Sequence, residues 1–226
     1  MSRLSRLTGS TLNTPSGPIV TPMTGASGCQ PVTARRLQWN WTPAGQELTQ
    51  HCPIGATGFA KWYCVDSGEI PQWESSGPDM SDCTTQAMKN LESEVRAEDP
   101  ENVLVSKLAY LTRSKSLYGG DLEIVVNIMR TVADRIQYRL QSSSGNFHDK
   151  VNHIRQVLLN VLRSAANILE DNPDGRNRDA WRDLSLDSQM RVATSLMLAL
   201  EENAFLLAGV TETPEEILET YETLSK

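Results

Sequence analysis

Residues 29–83 read CQPVTARRLQWNWTPAGQELTQHCPIGATGFAKWYCVDSGEIPQWESSGPDMSDC, and this stretch decides how the rest of the chain is read. It holds all 4 cysteines and, in Trp39, Trp41, Trp62 and Trp73, all but one of the 5 tryptophans. Turn chemistry recurs at Pro53-Ile54-Gly55, Thr57-Gly58, Ser67-Gly68 and Gly77-Pro78-Asp79. A segment of about 55 residues is close to the smallest that builds a core unaided, and such modules commonly need covalent staples. An even number of cysteines confined to one short segment reads as a disulfide framework, which places the segment outside the cytosol.

Four cysteines allow three pairings, and spacing alone does not choose among them. The pairing we expect is Cys29–Cys64 with Cys52–Cys83. Each bridge then closes a loop of roughly 30 to 35 residues, a constraint of about 4 kcal/mol in the chain-entropy account. A structural zinc site is the competing reading. Zinc sites present close C-x₂₋₄-C pairs, whereas the nearest pair here is Cys52 and Cys64. No C-x-x-C pair marks a reactive thiol.

Within the stretch, Arg36–Trp41, Glu47–Cys52 and Thr57–Val65 are the strand candidates. In the last, Ala60, Trp62 and Cys64 alternate with Phe59, Lys61 and Tyr63, the period of a strand with two unlike faces. Trp39, Trp62 and Trp73 are expected to form the module's core, because large aromatics supply most of the burial in so small a unit. Asn40-Trp41-Thr42 is an N-glycosylation sequon.

On either side the character changes. Residues 1–28 are rich in Ser, Thr, Gly and Pro and are expected to be a disordered spacer. The first six residues carry positive charge but no apolar run follows, so no secretory signal is expected there. A stapled module without a signal implies a fragment, an internal-start isoform or a truncated gene model, and secretion if the chain is complete.

After Cys83 a helical period takes over. The first helix fits Thr84 to about Ala97, with Met88, Leu91 and Val95 on one side. Asp99-Pro100 restarts the chain, and Leu104, Leu108 and Leu111 face inward on a second helix that Gly119-Gly120 breaks. The third begins near Asp121 with the stripe Leu122, Val125, Met129, Val132, Ile136 and Leu140. A loop at Ser142–Asn146 leads to a fourth carrying Val151, Ile154, Leu158, Val161, Ala165 and Ile168, ended by Asn172-Pro173-Asp174-Gly175. Trp181 and Leu184 seat a short connecting helix. The fifth long helix opens near Ser185, is expected to bury Met190, Ala193, Met197, Leu200, Ala204 and Leu207, and stops at Gly209. Thr213-Pro214-Glu215-Glu216 starts a final helix.

A net charge of -7 and a pI near 5.1 argue against a general nucleic-acid surface. Continuous apolar runs are only a few residues long, so no membrane span is expected. No enzyme is expected either. His51 adjoins Cys52, and His148 and His153 are too far apart in register for a helical metal pair. No nucleophile elbow, phosphate loop or dinucleotide fingerprint occurs. Glu92 with Glu94, and Glu201 with Glu202, are spaced as solvent faces. No catalytic residue, metal or cofactor is therefore assigned.

Several stretches resemble the latrophilins, a subfamily of the adhesion G-protein-coupled receptors. Arg35-Arg36-Leu37-Gln38-Trp39, Cys52–Gly58, Cys64, Trp73 and Gly77–Thr84 are similar to the hormone-receptor motif module, which keeps four cysteines and is consistent with the two-bridge pattern. Leu111-Thr112-Arg113, Tyr118-Gly119-Gly120-Asp121, Trp181-Arg182-Asp183 and Leu200–Ala208 resemble the helical A subdomain of the GAIN fold. Asp82 stands where relatives often carry an asparagine, so that glycan is not expected here. The β-rich B subdomain, its autoproteolysis site, the tethered agonist and the seven membrane helices are not among these residues.

The expected fold is α+β in separate domains: a spacer at 1–28, a stapled β module at 29–84, and a helical bundle at 85–226. The resemblance implies an extracellular segment at the plasma membrane. It would bind extracellular protein ligands or cell-surface adhesion partners and pass the event to a GAIN B subdomain and seven-helix region. The alternative is a soluble, secreted binding module without signalling. Neither nucleic acid nor membrane insertion by this segment is expected.

Overall fold

The computed structural model describes residues 27–68, 70–114, 116–142, 147–170 and 176–210. The expected spacer up to residue 26, the loop at 143–146, the stop at 172–175 and the helix opening at Thr213 lie outside the described residues.

Short antiparallel pairs build the N-terminal unit. β1 (Gly28–Cys29) pairs with β4 (Thr42–Pro43), and β2 (Val32–Ala34) with β3 (Leu37–Trp39). A three-stranded sheet orders β5 (Glu47–His51), β7 (Phe59–Val65) and β8 (Gln72–Trp73), with β7 central. β6 (Ala56–Thr57) pairs with β9 (Thr84–Thr85). Along β7 the alternation is as read: Ala60 and Cys64 point into the core, and Phe59, Lys61, Tyr63 and Val65 point out.

Sulfur bridges join Cys29 to Cys64 and Cys52 to Cys83. Between them sits an aromatic cluster. Trp39 is 0% exposed and meets Trp62 and Trp73 edge-on, at centroid distances of 5.4 and 6.1 Å. Trp62 and Trp73 stack at 4.8 Å. Each indole N–H finds a carbonyl, on Ala34, Glu74 and Gln30 respectively, so the rings are half-buried or buried without a stranded donor.

The helices follow without a linker. Thr85, the last residue of β9, is also the N-cap of α1 (Gln86–Arg96), its hydroxyl accepting from the Met88 N–H. α2 (Glu101–Ser114), α3 (Gly119–Ser142), α4 (Phe147–Leu169), α5 (Arg176–Arg182) and α6 (Leu186–Val210) complete the described helices. One core runs through them, and the stripes expected for α1, α3 and α4 are buried except at Leu140. In α2, Leu104 and Leu108 are buried and Leu111 partly so.

Three expectations need correction. Gly119 and Gly120 do not merely separate two helices; they open α3. α6 turns inward an arc only partly shared with the one periodicity selected: Leu200 and Leu207 pack partly buried against the core, but the Met190–Met197 side does not. Val192, Leu196, Ala199 and Asn203 are buried, whereas Met190 and Met197 are 61% and 70% exposed. Apolar residues surround this helix almost completely, so spacing alone could not say which arc meets α3 and α4. The helix also runs through Gly209 to Val210. Its residues Leu186–Gly209 are long and apolar enough to cross a membrane, with a mean hydropathy of 1.3, a property that the short-run criterion overlooked. Here its inner face belongs to the bundle core.

Candidate functional site

The geometry with most bearing on function is the seam where the stapled module meets the helices. It begins at the β2–β3 hairpin. Ala34 pairs with Leu37, leaving Arg35 and Arg36 as a two-residue loop with φ of 51° and 65°. Both lie in the left-handed region that such hairpin turns demand and that Asn-Gly fills at least cost. Placing arginines there costs roughly 1–2 kcal/mol for each residue. The turn thereby aims Arg35 at the bundle.

There its guanidinium bridges two carboxylates, donating to Asp183 at 2.5 Å and pairing with Asp179 at 2.9 Å. It also lies over the Tyr118 ring, 5.6 Å from the centroid. Asp183, just past α5, accepts a second bond from the Gly119 N–H at 3.2 Å. One buried carboxylate thus ties hairpin, α5 and the start of α3 together. Burial pushes its carboxyl up to about 7, against the lowering influence of Arg35 and the Gly119 N–H.

A second buried carboxylate, Asp121, lies two residues past Gly119 in the first turn of α3. It accepts from the Tyr118 N–H at 2.9 Å, the Thr85 N–H at 2.8 Å and the Thr85 hydroxyl at 3.1 Å. It caps α3 and holds the β9–α1 junction against it. Burial raises Asp121 to about 6, opposed by those three bonds. Burial also raises the Tyr118 phenol, with Arg36 and Arg35 pulling the other way.

The two glycines make the approach possible. A Cβ on Gly119 would stand 2.8 Å from Leu184 Cδ2 and 3.1 Å from Ser81 Cα. On Gly120 it would stand 2.8 Å from the Cys83 carbonyl oxygen and 2.9 Å from that of Ser81. Backbone therefore packs on backbone across the seam.

The residues singled out in the sequence divide between this seam and the module's interior. Trp39, Trp62 and Trp73 form the aromatic cluster, with Cys52 and Cys83 in the same core. Asn40 is exposed after β3, while Thr42 of its sequon is buried and donates to the Asn40 carbonyl at 3.1 Å. His51 packs at a tilt against Phe59, 4.8 Å between ring centroids, on the outer face of the sheet, and His153 is exposed on α4. The side chain of His148 lies outside the described residues. Arg35, Asp121, Asp179 and Asp183 were not predicted as a site. Their signal was indirect: Arg35, Asp121 and Asp183 lie in the stretches Arg35-Arg36, Tyr118–Asp121 and Trp181–Asp183 that carried part of the resemblance, and Asp179 carried none.

A family model described as AGRL2-4 GAIN subdomain A matches residues 82–208, more than half of the chain. The chain belongs to this latrophilin-type adhesion-receptor family. A second model, described as Hormone receptor domain, matches residues 26–86 of the latrophilin-type segment, and the two matches overlap at the seam's β9–α1 junction. Latrophilin Cirl of Drosophila ananassae is 30% identical over 230 residues, covering 80% of this chain and 13% of that protein. Adhesion G protein-coupled receptor L1 of Homo sapiens is 27% identical over 203 residues, covering 87% of this chain and 14% of its own length. The chain thus spans about one seventh of the length of these curated relatives. It is a latrophilin-type extracellular region in which a hormone-receptor module adjoins GAIN subdomain A.

Proposed function

We propose that this segment engages extracellular protein ligands or cell-surface adhesion partners and carries the event, as one jointed body, to the GAIN B subdomain and seven-helix region of its receptor. The seam carries this reading. The stapled module is held to the bundle by β6–β9 pairing, by Asp121 on Thr85, and by Arg35 on Asp183, so displacement of one unit loads the other. Outward-facing Phe59 and Tyr63 on β7, 46% and 40% exposed, support contact with a ligand. The outer stripe of α6, Leu186, Met190, Met197 and Phe205, supports contact with the remainder of the receptor. Asn40 carries N-linked sugar in this account. The role is binding and transmission, not enzymatic, and the isolated chain does not couple to a G protein.

The test is a receptor that contains this segment, compared with its Arg35→Ala form. Surface expression and partner binding should be retained while partner-dependent signalling falls. Undiminished signalling would refute transmission through the seam.

A further inference from the structure

The chain enters the stapled module at Gly28–Cys29 and leaves it at Cys83–Thr84, so tension across the module acts between those points. Without bridges, the fifty-four residue steps from Cys29 to Cys83 would pull out to about 185 Å at ~3.4 Å per residue. The bridges, however, cross. Cys52 lies between Cys29 and Cys64, and Cys64 lies between Cys52 and Cys83. The shortest covalent route therefore jumps from Cys29 to Cys64, returns twelve steps along the chain to Cys52, and jumps again to Cys83. That route is about 50 Å long, made of ~40 Å of chain and two short crossings of 5.8 and 5.7 Å between Cα atoms.

The exit is as firmly held as the entry. Thr84 pairs with Thr57, and Thr85 is bonded to Asp121 on α3. Gly120 lies directly against the Cys83 carbonyl. Load arriving at Cys83 therefore reaches α1 through the chain and α3 through side chains.

We propose that the crossed bridges make the stapled module a nearly inextensible strut, which passes tension from Cys29 into α1 and α3 instead of unravelling, and which only reduction of the bridges lengthens. Its use in the cell rests on the transmission reading above; its mechanics do not. The 171 steps of chain outside the module are the same in either redox state, so the difference in stretched length isolates the module.

The experiment is single-molecule force spectroscopy on the full chain, held by both termini, before and after adding a thiol reductant. The fully stretched reduced chain should exceed the oxidised one by about 130 Å. Reduction under load should come in two steps. The first is about 20 Å if Cys52–Cys83 opens first, or about 30 Å if Cys29–Cys64 does, and the second completes the 130 Å. Equal stretched lengths would overturn the proposal, because the bridges would then bear no load. A total near 180 Å would overturn it too, since that is the signature of a bridge joining Cys29 directly to Cys83. Reduction acts on a chain that has already folded, so no cysteine variant has to fold. Loss of signalling by the receptor, in contrast, bears only on the transmission reading.

Discussion

Replacing Gly120 by alanine adds one methyl group where α3 meets the stapled module. Its carbon would stand 2.6 Å from Thr84 Cγ2, 2.8 Å from the Cys83 carbonyl oxygen and 2.9 Å from the Ser81 carbonyl oxygen. A threonine methyl can swing away. The two carbonyls are less free, because Cys83 is bridged to Cys52 and Thr84 is paired to β6. Forcing a methyl into packed surroundings costs about 1–3 kcal/mol. Alanine returns up to about 0.5–1 kcal/mol over glycine within a helix, and less in its first turn. The net expectation is a loss of roughly 1–2 kcal/mol, or about 2–8 °C in the unfolding midpoint of a chain this size. Gly209 is the control: it lies on α6 with nothing within 4 Å of an added Cβ, so Gly209→Ala should gain about 0.5–1 kcal/mol. Thermal unfolding of the oxidised chain, followed by circular dichroism for the helices and tryptophan emission for the module, separates the two. Gly120→Ala at least as stable as the parent, beside a stabilised Gly209→Ala, would show that the seam is not the close contact described here.

Arg36→Gly should relieve the left-handed turn at Arg36 and stabilise the chain by about 0.5–1 kcal/mol, after allowing for the freer unfolded chain; a lowered denaturation midpoint would contradict the strain assigned to the hairpin. Cys52→Ala should cripple secretion from a eukaryotic host, because it leaves Cys83 unpaired and the aromatic core unstapled; secretion at the parent level would count against that role. In the folded chain Asp183 keeps its proton up to about pH 7 and Asp121 up to about 6, whereas an unfolded aspartate loses it near 3.9. The folded state therefore binds more protons between those limits, and the stability these groups contribute is full below about pH 4 and lost as pH rises through 6 and 7. The unfolding midpoint should be higher at pH 5.5 than at pH 8, with a shallower change in Asp183→Asn; a midpoint that drops on acidification over that range would reverse the sign argued here.

Much of the architecture is legible one element at a time. Alternation along Phe59–Val65 marks β7, and three- and four-residue steps mark the inner faces of α1, α3 and α4, because each such pattern is a property of one element's own geometry. α6 is the exception that shows the limit. With apolar residues on nearly every side, its inner arc is selected by where α3 and α4 stand, not by its own spacing. The aromatic cluster is intermediate. Composition marks the tryptophans as core, but the edge-on and stacked arrangement depends on which strands the bridges hold together.

By itself, the order of residues determines that a cysteine- and tryptophan-rich β unit precedes a set of amphipathic helices, and it carries the likeness to latrophilin-type receptors. Only the tertiary structure brings Arg35 to Asp183, 148 residues further along, and sets Gly119 and Gly120 against Asp183 and the backbone of Ser81–Cys83. The physical reason is range. Periodicity and turn chemistry act among neighbours in the chain, whereas a buried ion pair and a backbone-to-backbone contact exist only after two separate units have docked.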